Sequence, residues 1–152
     1  MTRSRSLTIP VVATASSFGV RRPLAPVQWA TLIAALVVLV YSVIGLIVNP
    51  DFAIGDDATA ERVLGVDMNG WHAVSGFAIV TPALLAAPRP RLAAIVALGS
   101  AGGLIATAVW AFMSTKIAGG VFFFPNNEAD AWFHLGTAAI FLAGALHYFR
   151  SA

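Results

Sequence analysis

The sequence contains no cysteine, which excludes disulfides, thiolate metal sites and a cysteine nucleophile, and leaves the redox compartment unread. Charge is scarce as well: Asp, Glu, Lys and Arg make up only 11% of the 152 residues and sum to +2. No charged residue stands in the middle of any long apolar run, so the central group of a proton relay, an ion pathway or the usual transporter site is missing. A Ser/His/Asp arrangement, an HExxH motif and a Walker sequence are also missing, and enzymatic activity is not expected. What is present in excess is apolar surface, at 59% of residues with a mean hydropathy of +0.83. That composition belongs in a bilayer and excludes a disordered chain, a nucleic-acid-binding domain and a secreted disulfide scaffold.

Four apolar stretches, each about 30 Å long as a helix, predict an all-α, four-helix integral membrane bundle of two helical hairpins. They cover about 28–48, 71–87, 92–113 and 130–149 within a transmembrane domain of residues 27–149. The first is uncharged and stops at Asn49-Pro50, and the second is short, with Thr81-Pro82 predicting a kink. With four crossings, Arg3, Arg5, Arg21, Arg22, Arg89, Arg91 and Arg150 share one side, and only Arg62 and Lys116 the other. This asymmetry predicts cytoplasmic N and C termini in a multi-pass protein of the cell membrane.

Residues 1–26 form a cytoplasmic N-terminal arm. Its patch LTIPVVATA is interrupted by proline and lacks a leucine-rich core, so no cleaved signal peptide is expected. The arm is either a disordered terminus or an extended segment lying on a partner, with Leu7, Ile9, Val11, Val12 and Phe18 as contacts. The first outer loop, 49–70, is acidic, and DATAERVL (57–64) predicts a short amphipathic helical turn at the membrane surface. In the second, 114–129, Val121 to Phe124 should insert into the interface or pack on protein. Trp29, Tyr41, Trp71, Trp110, Trp132 and Tyr148 fall near span ends and read as interfacial belts.

Each half of the chain re-enters the membrane through an asparagine, an aromatic residue and a histidine. The two series are Asn69, Trp71, His72 and Gly76, then Asn127, Asp130, Trp132, His134 and Gly136. A duplicated hairpin would produce this pattern. The first amides of a helix lack intrahelical acceptors, so Asn69 and Asn127 are expected to act as N-caps, with Asp130 completing a capping box. Asp130 and His134 stand at i, i+4 and share one face, where the carboxylate could orient the imidazole. His72 should lie at the same depth. The two histidines are expected to face the bundle and bond to neighbouring helices, with no cofactor. The alternative is a haem, a metal or a quinone held by His72 and His134. His147 reads as an interfacial residue.

In the third span Gly99, Gly102 and Gly103 gather small residues on one face, where backbones can approach closely. The face is expected to pack on a neighbour inside the bundle; another subunit is the alternative.

The paired Asn-x-x-His and Asn-x-x-Asp-x-x-x-His pattern resembles a family of small actinobacterial membrane proteins known only as a domain of unknown function. The resemblance runs over about residues 25–149 and rests on Asn69, His72, Gly76, Asn127, Asp130, His134 and Gly136. It departs from that pattern in its N-terminal arm and in Gly136, which follows its histidine more closely than Gly76 does. The resemblance implies architecture and no reaction. The chain also resembles, more loosely, the accessory subunits of the actinobacterial cytochrome bcc-aa3 respiratory supercomplex. The expected function is therefore non-catalytic: an accessory or structural subunit packed against other integral membrane proteins, with a haem- or quinone-binding protein as the alternative.

Overall fold

A computed structural model describes residues 23–54, 57–113 and 125–151. They form helices α1 (Pro26–Val48), α2 (Gly70–Ala86), α3 (Pro90–Met113) and α4 (Glu128–Ser151), with strands β1 (Glu61–Val63) and β2 (Val66–Met68) between α1 and α2. Every helix boundary falls within two residues of its expected position. The N-terminal arm up to residue 22, Lys116 and the Val121–Phe124 run lie outside the described residues.

Among the described residues, α1, α3 and α4 are long and apolar enough to cross a membrane. With 17 residues α2 is shorter, about 25 Å against a hydrocarbon core of about 30 Å. It runs unbroken through Pro82. Contacts at the two ends nevertheless give an up-down-up-down bundle. At one end the buried Gln28 amide accepts from the Ala25 N–H (2.8 Å) and donates to the Ala87 carbonyl (2.7 Å), tying the start of α1 to the end of α2. At the other, His72 at the start of α2 meets Asp130 near the start of α4, and Phe112 at the end of α3 meets Trp132 edge-on.

The core is built from small side chains. Ala34, Ala35, Ala83, Ala97, Ala101, Ala138 and Ala145 surround Leu104 and Phe141, all essentially inaccessible. Lipid is as apolar as leucine, so helices in a bilayer gain by close approach and not by hiding large side chains. Glycines permit close approach between elements, that of Gly70 to the Asp51 carbonyl among them. A β-carbon on Gly76 of α2 would collide with Ser42 of α1. One on Gly144 of α4 would stand 2.5 Å from the Ala30 β-carbon and 3.4 Å from the Val27 Cα. One on Gly45 would stand 2.6 Å from the Met68 Cε.

The first outer loop is a β-hairpin, where a helical turn was expected. Glu61 pairs with Met68, Arg62 with Asp67 and Val63 with Val66, around Leu64 (φ 50°) and Gly65 (φ 96°). Two positive φ values are the signature of the tight hairpin turn. Leucine is a poor residue for it, and the position is held by contacts distant in sequence. Val63, Val66 and Met68 are buried with Ala73 against Tyr41 and Ile44 of α1. The Asn127 amide donates to the Gly65 carbonyl (2.8 Å), pinning the turn to the start of α4.

Asp51 fastens the chain ahead of the hairpin. Its carboxylate accepts from the Thr59 hydroxyl (2.7 Å), the Thr59 N–H (3.0 Å) and the Ala53 N–H (2.9 Å). These bonds, the Thr59 hydroxyl first, hold its carboxyl below the usual range. The stabilisation is therefore complete above the ordinary aspartate value and is lost as pH falls through the depressed folded value. As pH falls below the ordinary aspartate range, hydrogen-exchange protection at Ala53 and Thr59 should fall before that of the helices. Unchanged protection there would contradict the role given to Asp51.

Candidate functional site

The N-terminal ends of α2 and α4 are capped in the same way. Asn69 Oδ1 accepts from the His72 N–H (3.0 Å), and Asn127 Oδ1 accepts from the Asp130 N–H (2.9 Å). Each asparagine satisfies an amide that the helix leaves unpaired, so both helices begin at fixed positions and set their first-turn side chains at one depth. Asp130 does not complete a capping box. On α4 the buried stripe is Asp130, His134, Thr137, Ala138, Phe141, Gly144 and Ala145, a helical period that turns the aspartate inward. Its carboxylate points across the bundle, away from the backbone of Asn127.

There it meets both histidines. Asp130 Oδ1 lies 3.3 Å from His72 Nε2 and 3.1 Å from His134 Nε2, and the two imidazoles are 6.0 Å apart between ring centres and inclined by 31°. Asp130 is 0% exposed, His72 6% and His134 8%, so the cluster is cut off from bulk water. His72 Nδ1 stands 3.0 Å from the Asp67 carbonyl. A carbonyl only accepts, so Nδ1 carries a proton and a neutral His72 turns the Nε2 lone pair toward Asp130. Neither contact with the carboxylate has hydrogen-bond alignment. Among the described residues, both Asp130 oxygens and both ring nitrogens of His134 have no hydrogen-bond partner.

A cavity of about 270 Å³ adjoins the cluster. His72 and His134 form its polar end, and its walls are mainly apolar, with Val38 and Tyr41 from α1 and Phe133 from α4. Tyr41 is thus a wall residue stacked near Phe133 at 4.1 Å, where a belt residue was expected. The hairpin roofs the cavity with Val66 and Met68. Half-buried Ser75 and Gly76 of α2 and exposed Gly103 of α3 also line it, so it reaches the surface along the seam where α2 and α3 touch only sparsely.

The remaining expectations divide. Gly99, Gly102 and Gly103 face outward, and a β-carbon on any of them would meet nothing within 4 Å among the described residues. Their face therefore does not pack inside the bundle, and the helix contacts made by Gly45, Gly76 and Gly144 take that place. A β-carbon on Gly136 would likewise meet nothing within 4 Å among the described residues, so Gly136 is no structural counterpart of Gly76. His147 lines a second cavity, of about 280 Å³, at the opposite end of the bundle with Pro26 and Tyr148.

The tight glycines carry one signal in sequence. Gly144 continues the stripe begun by Asp130 and His134, whereas Gly45 and Gly76 are identified by their partners on other elements alone. Among curated proteins and among solved structures, nothing matches the chain. Over residues 28–147, which include both asparagine caps, the three clustered side chains and all four helices, the sequence matches the model of the Domain of unknown function (DUF4383), and the chain belongs to that family.

Proposed function

We propose that this is a non-enzymatic protein of the cell membrane, with cytoplasmic termini, that holds a small lipid-soluble ligand. The ligand's carbonyl-bearing head, of the quinone class, lies against His72 and His134, and its apolar part follows the seam between α2 and α3. The cavity carries this reading: apolar walls with a few convergent polar groups at one end are the usual form of a small-molecule site. Imidazole suits such a head because it can donate to a carbonyl oxygen, a role open to His134, since the Nδ1 proton of His72 is held by the Asp67 carbonyl. The orientation is supported by the seven arginines on the side of the termini against Arg62 and Lys116 on the other. A bis-histidine haem does not suit the site, because Asp130 Oδ1 stands where the iron and macrocycle would have to pass.

Titration of a short-chain benzoquinone into the detergent-purified protein, followed by tryptophan fluorescence, tests the proposal. Saturable quenching is expected, and Ser75→Phe, which puts a ring into the cavity in place of the hydroxyl that bonds the His72 carbonyl, should abolish the saturation. Linear, partition-like quenching that is identical in the two proteins would contradict it.

A second reading is favoured by the outward small-residue face of α3. There Gly99, Gly102 and Gly103 leave a shallow groove suited to a helix of another membrane subunit. On that reading the protein is an accessory subunit of a larger membrane complex, such as a respiratory oxidase supercomplex.

A further inference from the structure

We propose that His72, Asp130 and His134 bind one divalent first-row transition-metal ion, with zinc as the ion their donor set fits first. The inference stands on these three side chains and holds whether or not the cavity takes a ligand.

The donor chemistry is two imidazoles and one carboxylate, the mixture that suits zinc and its neighbours, whereas magnesium and calcium take oxygen ligands. The three groups each offer one ligand atom, all within 4.8 Å of one another. Ligand atoms held about 2.1 Å from one tetrahedral ion lie roughly 3.4 Å apart. The observed separations from Asp130 Oδ1 are 3.3 and 3.1 Å. The lack of hydrogen-bond alignment points the same way. Buried polar atoms are normally paired, and here both carboxylate oxygens and both nitrogens of His134 have no such partner among the described residues. They nevertheless converge.

A single proton shared with Asp130 would relieve one of the two contacts, whereas a dication between the three side chains relieves both. The outer shell is also built. His72 Nδ1 is held by the Asp67 carbonyl of β2 at 3.0 Å, the arrangement that fixes tautomer and ring plane in metal-bound histidines, with Nε2 turned toward Asp130. Asp130 occupies the first turn of α4, where the helix dipole favours an anion. Three protein ligands leave a fourth position for water or a ligand atom, and both imidazoles border the cavity.

The test uses the full-length protein in mild detergent, stripped with chelator and then freed of it. Cobalt(II) is added as the probe, because it occupies zinc sites and its visible absorption reports coordination. One equivalent should bind with a visible band that zinc displaces. His134→Gln and Asp130→Asn should each weaken binding tenfold or more. In parallel, zinc should raise the wild-type melting temperature and leave both variants unmoved, with far-ultraviolet circular dichroism confirming that they keep their helices. The wild-type titration decides by itself, whatever the stability of the variants: a folded wild type that takes up neither cobalt nor zinc overturns the proposal. A band that persists undiminished in folded His134→Gln overturns it too.

Discussion

Replacing Asp130 with leucine is expected to lower the unfolding free energy by about 2–4 kcal/mol, read as a depressed thermal or denaturant midpoint in detergent. The helix cap is not what is lost. Asn127 bonds the backbone N–H of residue 130, which leucine keeps. What disappears is the buried carboxylate that His72 and His134 both approach. Asp130→Asn retains shape and one acceptor and should fall between wild type and leucine. A loss of less than about 1 kcal/mol for leucine, the scale of a capping contribution, would show that the cluster contributes little.

Gly144→Leu should cost about 2–3 kcal/mol, and Gly102→Leu should be nearly neutral in the isolated protein. The two glycines look alike in sequence, each lying among small residues in a long apolar helix. At Gly144 a side chain would run into Ala30 and into the Val27 backbone of α1, which cannot rotate away, so α1 and α4 would have to separate. At Gly102 it would enter open space. Equal midpoints for the two variants would contradict the packing described. Gly102→Leu also tests the second functional reading: if the α3 face seats another subunit, this folded variant should lose proteins that co-purify stoichiometrically with wild type.

This contrast shows where sequence reasoning reaches and where it stops. The four helices were legible because apolar runs bounded by proline, arginine and asparagine are local features, and Asn69 and Asn127 act within three residues of themselves. The equal depth of His72 and His134 followed from the repeated helix starts. The inward turn of Asp130 was partly legible, since it shares a stripe with His134 and Phe141, but capping explained the same residue with shorter-range chemistry. The hairpin was hidden for a different reason. Leu64 carries no turn signal, and Val63, Val66 and Met68 are held by α1 and by the bond from Asn127 to Gly65. Choosing among glycines likewise required knowing which helices face each other.

The central claim is that the end of the bundle where α2 and α4 begin is a binding centre built around His72, Asp130 and His134. Native mass spectrometry of the protein released from its own membranes in a mild detergent tests this most directly, because it weighs each chain with whatever it carries. The account predicts a wild-type species heavier than the polypeptide by a discrete small-molecule mass, which Ser75→Phe lacks. A wild-type chain at its bare polypeptide mass, folded and identical in this respect to Ser75→Phe, would contradict it.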